Sequence, residues 1–160
     1  MAWWHYWTIF FQNEMGDSVT VTGERYRQML INFLWPNLDA IDLENVWFQQ
    51  DGATCHTANE TVAILPEKFG ERIISRNATV AWPPRSCDLT PLDYFLWGYL
   101  KSKVYANMPQ TLDALRLNIE RCIREITPDI LQKVFENWTY RIHSCIRSRG
   151  GHLKDVLFKI

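Results

Sequence analysis

Apolar and polar residues change their period several times along the chain, and each change marks an element. Residues 8–11 and 18–22 are short runs of β-branched and aromatic side chains around the turn-prone Asn13-Glu14-Met15-Gly16-Asp17. They predict a strand, a turn and a second extended piece. Over residues 24–34, Tyr26, Met29, Leu30, Phe33 and Leu34 fall at helical spacing, and Pro36 is expected to stop the helix. Residues 46–50 are a compact apolar-to-polar run ending at Asp51-Gly52, which predicts a buried strand with an acid at its carboxyl end. A helix over residues 57–69, interrupted by Pro66, and a short strand over residues 72–75 follow.

Residues 80–86 hold two adjacent prolines, which remove backbone donors and keep the chain extended, so a rigid loop is expected there. Thr90 is a candidate cap and Pro91 a first-turn residue for a helix to about residue 105, with Leu92, Phe95, Leu96 and Tyr99 on one face. Two further helices are predicted over residues 111–126 and 128–147, with Gly150-Gly151 ending the second. Strands early, alternation in the middle and helices late argue for α/β architecture with one mixed sheet and a helical carboxy-terminal part. No internal repeat is visible, so residues 1–160 are expected to form one domain.

Composition narrows the functional classes. A net charge of -1 lacks the strongly basic footprint of a self-sufficient nucleic-acid binder, so any DNA affinity must be local or weak. Positive charge gathers at Arg72, Arg76 and Arg85, and again at Arg141, Arg147, Arg149 and Lys154; a DNA track and a solvated face are both open. Cys55, Cys87, Cys122 and Cys145 form no zinc pattern with the four histidines and are expected as reduced thiols of an intracellular protein. No run approaches the roughly 18 apolar residues of a membrane span, and the opening residues lack the features of a secretory signal, so no membrane partner is expected.

Two acids stand out by position. Asp51 closes the apolar run and Asp93 lies near the start of the helix after the proline loop. Two carboxylates from different elements at one sheet edge suit a divalent cation, because Mg²⁺ takes hard oxygen ligands and is usually held by one or two carboxylates plus water and phosphate. The plain alternative is that each is a turn former or a helix cap.

The words around these acids are more specific. Gln49-Gln50-Asp51-Gly52-Ala53-Thr54-Cys55-His56-Thr57-Ala58 resembles the block around the second catalytic aspartate of mariner-like DDE/D transposases. Trp82-Pro83-Pro84-Arg85-Ser86-Cys87-Asp88-Leu89-Thr90-Pro91-Leu92-Asp93-Tyr94-Phe95 is similar to that family's proline-rich approach to its third acid, with Asp93 at the catalytic position. The segment from Ser18 to Tyr26 and its helix also resemble the family, and the likeness runs from about Ile9 onward. It implies a ribonuclease-H-like mixed sheet flanked by helices, Asp51 and Asp93 as catalytic metal ligands, Mg²⁺ or Mn²⁺ as cofactor, and DNA as partner. Further implications are cleavage and strand transfer at transposon ends, a nuclear setting and a homodimer.

Two departures shape the functional expectation. Nothing here matches the family's first aspartate on its first strand, so that strand is expected to be missing, ion binding to be weak and cleavage to be impaired or absent. Glu14 and Asp17 are the nearest acids, and both sit in the expected turn. No helix-turn-helix domain is matched either, so DNA contact should be largely non-specific. Cys87 stands where the family has proline, and Trp3-Trp4-His5-Tyr6-Trp7 could be the remnant of a strand fused to a new start in a degenerate gene copy. A different class of reading is a non-enzymatic interaction module that uses the apolar face around Trp138 and Ile142. His56 is weighed as a structural hydrogen-bonding group or a group that orients DNA or a water. His143 and His152 are expected at the surface, and Tyr94, Phe95, Trp97 and Tyr99 in the core rather than stacked on bases. A Ser86, His56 and Asp88 triad is set aside, because Ser86 lacks the glycine-flanked elbow that exposes a nucleophile.

Overall fold

The computed structural model describes residues 8–151 and Leu153; the strand remnant expected at residues 3–7, and His152 and Lys154, lie outside the described residues. The chain forms two compact parts, one built on Ile9–Ser86 and one from Cys87 onward. Its class is α/β, as expected.

The first part holds helices α1 (Gly23–Met29) and α2 (Trp35–Leu38), strand β1 (Phe48–Gln49), helices α3 (Thr54–Thr57), α4 (Asn59–Ile64) and α5 (Pro66–Phe69), and strands β2 (Ile73–Ser75) and β3 (Val80–Ala81). The sheet order is β1-β2-β3, with Gln49 opposite Ile74 and Ser75 opposite Ala81, and both pairings are parallel. Antiparallel pairing among the described residues is confined to an isolated bridge between Gln12 and Ser18. The strand expected over residues 8–11 is therefore a single turn closure. Asn13 Oδ1 accepts from the Met15 and Asp17 N–H groups at 3.0 and 2.8 Å, which folds the chain back at once.

Three further expectations need correction. The helix over residues 57–69 breaks at Ala58, whose ψ of 138° is extended, in addition to the expected interruption at Pro66. Residues 80–86 are not loop throughout, because Val80 and Ala81 pair with β2 before the prolines begin. Pro36 does not stop its helix. A wide π turn, Leu30–Leu34, precedes it, with the Trp35 N–H reaching the Leu30 carbonyl, and the proline enters at the start of α2. In an α-helix a proline ring clashes with the carbonyl four residues back, and the widened turn relieves that clash.

The π turn also resets the buried face. Tyr26, Leu30, Trp35 and Leu38 are buried, so the spacing across the wide turn is five residues, not the four of a regular helix. Phe33 and Leu34, placed inward by an unbroken 3.6-residue period, are only half-buried. The core of this part also takes in Leu65, Phe69 and Ile73, with the Phe69 ring stacked on Phe48 at 4.8 Å and edge-on to Trp35 at 6.1 Å.

The second part is helical. It holds a 3₁₀ turn at Cys87–Leu89, a π turn at Leu92–Leu96 continued by α6 (Trp97–Val104), and the helices α7 (Leu112–Arg124) and α8 (Pro128–Arg147). Thr111 and Thr127 cap α7 and α8 by accepting from Ala114 N and Ile130 N, and Pro128 takes the first-turn position it tolerates. Here too the wide turn shifts the phase: Phe95, Leu100 and Val104 are buried, five and four residues apart, while Leu92 is exposed. Phe95 packs with Ile126, Leu131 and Val134, and Leu100 and Val104 pack with Cys122.

Candidate functional site

Asp51 leaves the carboxyl end of β1, where the Gln50 N–H still bonds the Ile74 carbonyl at 3.0 Å. One carboxylate oxygen, Oδ1, accepts from the Ala53 N–H at 3.0 Å and meets His56 Nδ1 at 2.6 Å. An ionised carboxylate only accepts, so Nδ1 carries the hydrogen here. The Asp51 side chain is 38% exposed. Its Oδ2 has no hydrogen bond among the described residues.

A buried scaffold holds this pair. The amide of Gln50, 5% exposed, donates through Nε2 to the His56 carbonyl at 2.7 Å and to Ser75 Oγ at 2.9 Å. Its Oε1 accepts from the Tyr26 hydroxyl at 3.2 Å. One side chain thus ties α1, β1, β2 and α3 together. The Tyr26 ring also lies 4.4 Å from the His56 ring. Burial, then the neighbouring Cys55 and Asp51, push the Tyr26 phenol well above its usual range, so it stays a neutral donor to Gln50. Thr61, fully buried, fixes the other end of α3 by donating from Oγ1 to the Cys55 carbonyl at 2.9 Å.

Asp93 sits on the π turn of the second part, is exposed, and donates its N–H to the Thr90 carbonyl at 2.9 Å. The backbone before it is gripped from α8, and the side chain of the residue after it bonds back to α8. Arg141 Nη1 donates to the Asp88 carbonyl at 2.8 Å and Trp138 Nε1 to the Leu89 carbonyl at 2.8 Å. The Tyr94 hydroxyl donates to the Val134 carbonyl at 2.9 Å, and the Arg141 guanidinium lies 4.2 Å from the Tyr94 ring centre. Arg141 is 3% exposed, and Nε also donates to Asn137 Oδ1 at 3.2 Å. Burial lowers the Arg141 pKa, opposed by Tyr94 and Asp88. Burial pushes the Tyr94 phenol up to about 12, against the pull of Arg141.

Among the described residues, no group of three His, Cys, Asp or Glu side chains gathers that could hold a metal ion. No protein-family model and no curated protein matches the chain.

Each acid, taken by itself, is a hard oxygen donor of the type Mg²⁺ takes. Asp51 keeps an oxygen clear of its own hydrogen bonds, Asp93 is exposed, and one or two carboxylates completed by water and phosphate are a usual Mg²⁺ set. His56 is a structural partner of Asp51, which removes it from any triad with Ser86, whose hydroxyl donates to the Pro83 carbonyl. Tyr94 and Tyr99 are half-buried around buried Phe95, whereas Trp97 is 49% exposed. The face around Trp138 and Ile142 is half-buried, with the Trp138 indole bonded to Leu89, so the apolar surface α8 leaves open is Tyr140 and Ile146 instead.

Four residues that build these surroundings were not singled out as site residues by sequence: Gln50, Tyr26, Trp138 and Arg141. Arg141 did carry a signal. It falls on the apolar register of Val134 and Trp138, and a charge on a core-facing stripe requires a buried partner.

Proposed function

We propose that this chain carries part of a DDE/D transposase catalytic fold of the ribonuclease-H-like kind, with Asp51 and Asp93 as ligands for Mg²⁺ or Mn²⁺. The observation that carries the reading is Asp51. It stands at the carboxyl end of a parallel strand, where α/β sheets place their chemistry, with one oxygen fixed by Ala53 and His56 and the other clear. The resemblance of the blocks around Asp51 and Asp93 supplies the reaction class. When bound, a divalent ion in such a site supplies charge stabilisation and an activated oxygen for phosphodiester displacement. His56 and Ala53 orient the Asp51 carboxylate for that role, and α8 fixes the backbone from which Asp93 projects. DNA is the partner on this reading, the nucleus the setting, and a homodimer the assembly. The sequence supplies two acids where the family uses three, so weak ion binding and little strand cleavage are expected of this chain alone.

The test is Mn²⁺ titration calorimetry on the native chain and on an Asp51→Ala/Asp93→Ala variant, after circular dichroism shows both folded. Binding by the native chain alone supports the reading. Equal heats from the two proteins, or none from either, refute it. Exposed Tyr140 and Ile146 on α8 favour a second reading, a non-enzymatic association module. In that case Tyr140→Ala/Ile146→Ala abolishes self-association in sedimentation and the two acid substitutions leave it unchanged.

A further inference from the structure

Arg141 and Trp138 are a buried cation and an indole donor on a helix that begins more than thirty residues after Asp93. Both are directed at the same short stretch of main chain. A buried guanidinium is costly unless it is hydrogen-bonded. Here its donors reach Asn137 Oδ1 and the Asp88 carbonyl, and its face lies against Tyr94, the residue that follows Asp93. Trp138 bonds the very next carbonyl, Leu89, and Tyr94 returns a bond to α8 at Val134. The main chain is therefore held at the Asp88 and Leu89 carbonyls and the Tyr94 side chain is tied to α8, and Asp93 lies between these anchors, on the wide turn that begins at Leu92. Anchoring of this kind aims a carboxylate through the chain that carries it, as outer-shell partners do for metal ligands.

We infer that Arg141, assisted by Trp138, is a positioning residue that sets the Asp93 carboxylate through the main chain of residues 88–94. The inference rests on the proposed role of Asp93 and deepens it. The metal site on this account includes α8, although α8 supplies no ligand. Arginine suits the task better than lysine because its planar fork serves two acceptors and an aromatic face together.

The experiment uses the full chain with Arg141→Met, Arg141→Lys and Trp138→Phe, plus Leu100→Ala as a core control that leaves the 88–94 anchors intact. Mn²⁺ affinity is read by electron paramagnetic resonance at a temperature where all are folded, and amide hydrogen exchange is followed without metal. Arg141→Met is expected to weaken Mn²⁺ about 10–100-fold and to speed exchange at residues 89–95. Arg141→Lys and Trp138→Phe should fall between it and the native chain, and Leu100→Ala should keep native affinity. Equal affinity in Arg141→Met and the native chain overturns the inference, as does an equal loss in Leu100→Ala. If the native chain binds no Mn²⁺, the metal reading fails by itself and exchange decides the anchoring. Acceleration confined to residues 89–95 then supports it, and a uniform change or none overturns it.

Discussion

Gln50→Leu tests the scaffold beneath Asp51. Leucine is close to glutamine in volume, so the substitution removes hydrogen bonds without opening a large cavity. Three groups lose their partner: the His56 carbonyl, Ser75 Oγ and the Tyr26 hydroxyl, with Ser75 fully buried and Tyr26 8% exposed. An unsatisfied buried group costs about 1–3 kcal/mol, and relaxation plus the greater apolarity of leucine offset part of the sum. The expected loss is about 3 kcal/mol. With a urea slope of roughly 2 kcal/mol/M, the midpoint should fall by about 1.5 M at unchanged slope. Tyr26→Phe alone should cost about 1 kcal/mol, and much less in the Gln50→Leu background, a coupling that a double-mutant cycle resolves. Urea unfolding followed by circular dichroism and by tryptophan fluorescence is the assay. A Gln50→Leu loss under about 1 kcal/mol, or strict additivity with Tyr26→Phe, would refute the claim that Gln50 ties α1, β1, β2 and α3 together.

Other consequences can be measured with the same preparations. Phe69→Ala removes a 1% exposed ring that packs on Phe48 and Trp35, and should cost about 3–5 kcal/mol by urea unfolding. The folded-state pKa values of Tyr26 and Tyr94 lie above the ordinary 10.0, so their contribution to stability is complete below pH 10. It is lost as pH rises toward about 12 for Tyr94, and midpoints measured from pH 9 to 12 should fall with a slope that Tyr94→Phe reduces. Arg72 donates to the Val46 and Leu43 carbonyls, whereas Arg76 and Arg85 are exposed and make no hydrogen bond among the described residues. On the DNA-binding reading, Arg76→Ala/Arg85→Ala should flatten the salt dependence of DNA affinity by about two units of slope in fluorescence anisotropy, and an unchanged slope would exclude them.

The α/β class could be read from the sequence because it depends on local signals. The threonine caps at Thr111 and Thr127, Pro128 at a first turn and the apolar stripes of α7 and α8 all act within one or two helical turns. Asp51 at a strand end was readable for the same reason. The third strand was not, since Val80-Ala81 becomes a strand only through its pairing with Ile74 and Ser75, and nothing local distinguishes it from the loop it enters. Nor was the Arg141 link, in which a side chain seeks a carbonyl 53 residues earlier in the chain. The phase of the first and sixth helices was misread because a 3.6-residue period assumes α geometry throughout, and both contain a wide turn.

Those wide turns make both helices sensitive to insertion and deletion. Each behaves as one extra residue carried within a helix, so loss of a single residue from Leu92–Leu96 would restore α geometry and rotate everything on one side of it by about 100° relative to the other. Either Asp93 would leave its place above the anchored segment or Leu100 and Val104 would swing out of their contact with Cys122. The same holds at Leu30–Leu34, where the choice would fall between Tyr26, which supports Gln50, and Trp35, which packs on Phe69. Substitutions at the exposed positions of these turns, such as Ile31 and Leu92, should be tolerated, while a change in turn length by one residue should not, so the number of residues between the buried positions matters as much as the buried residues themselves.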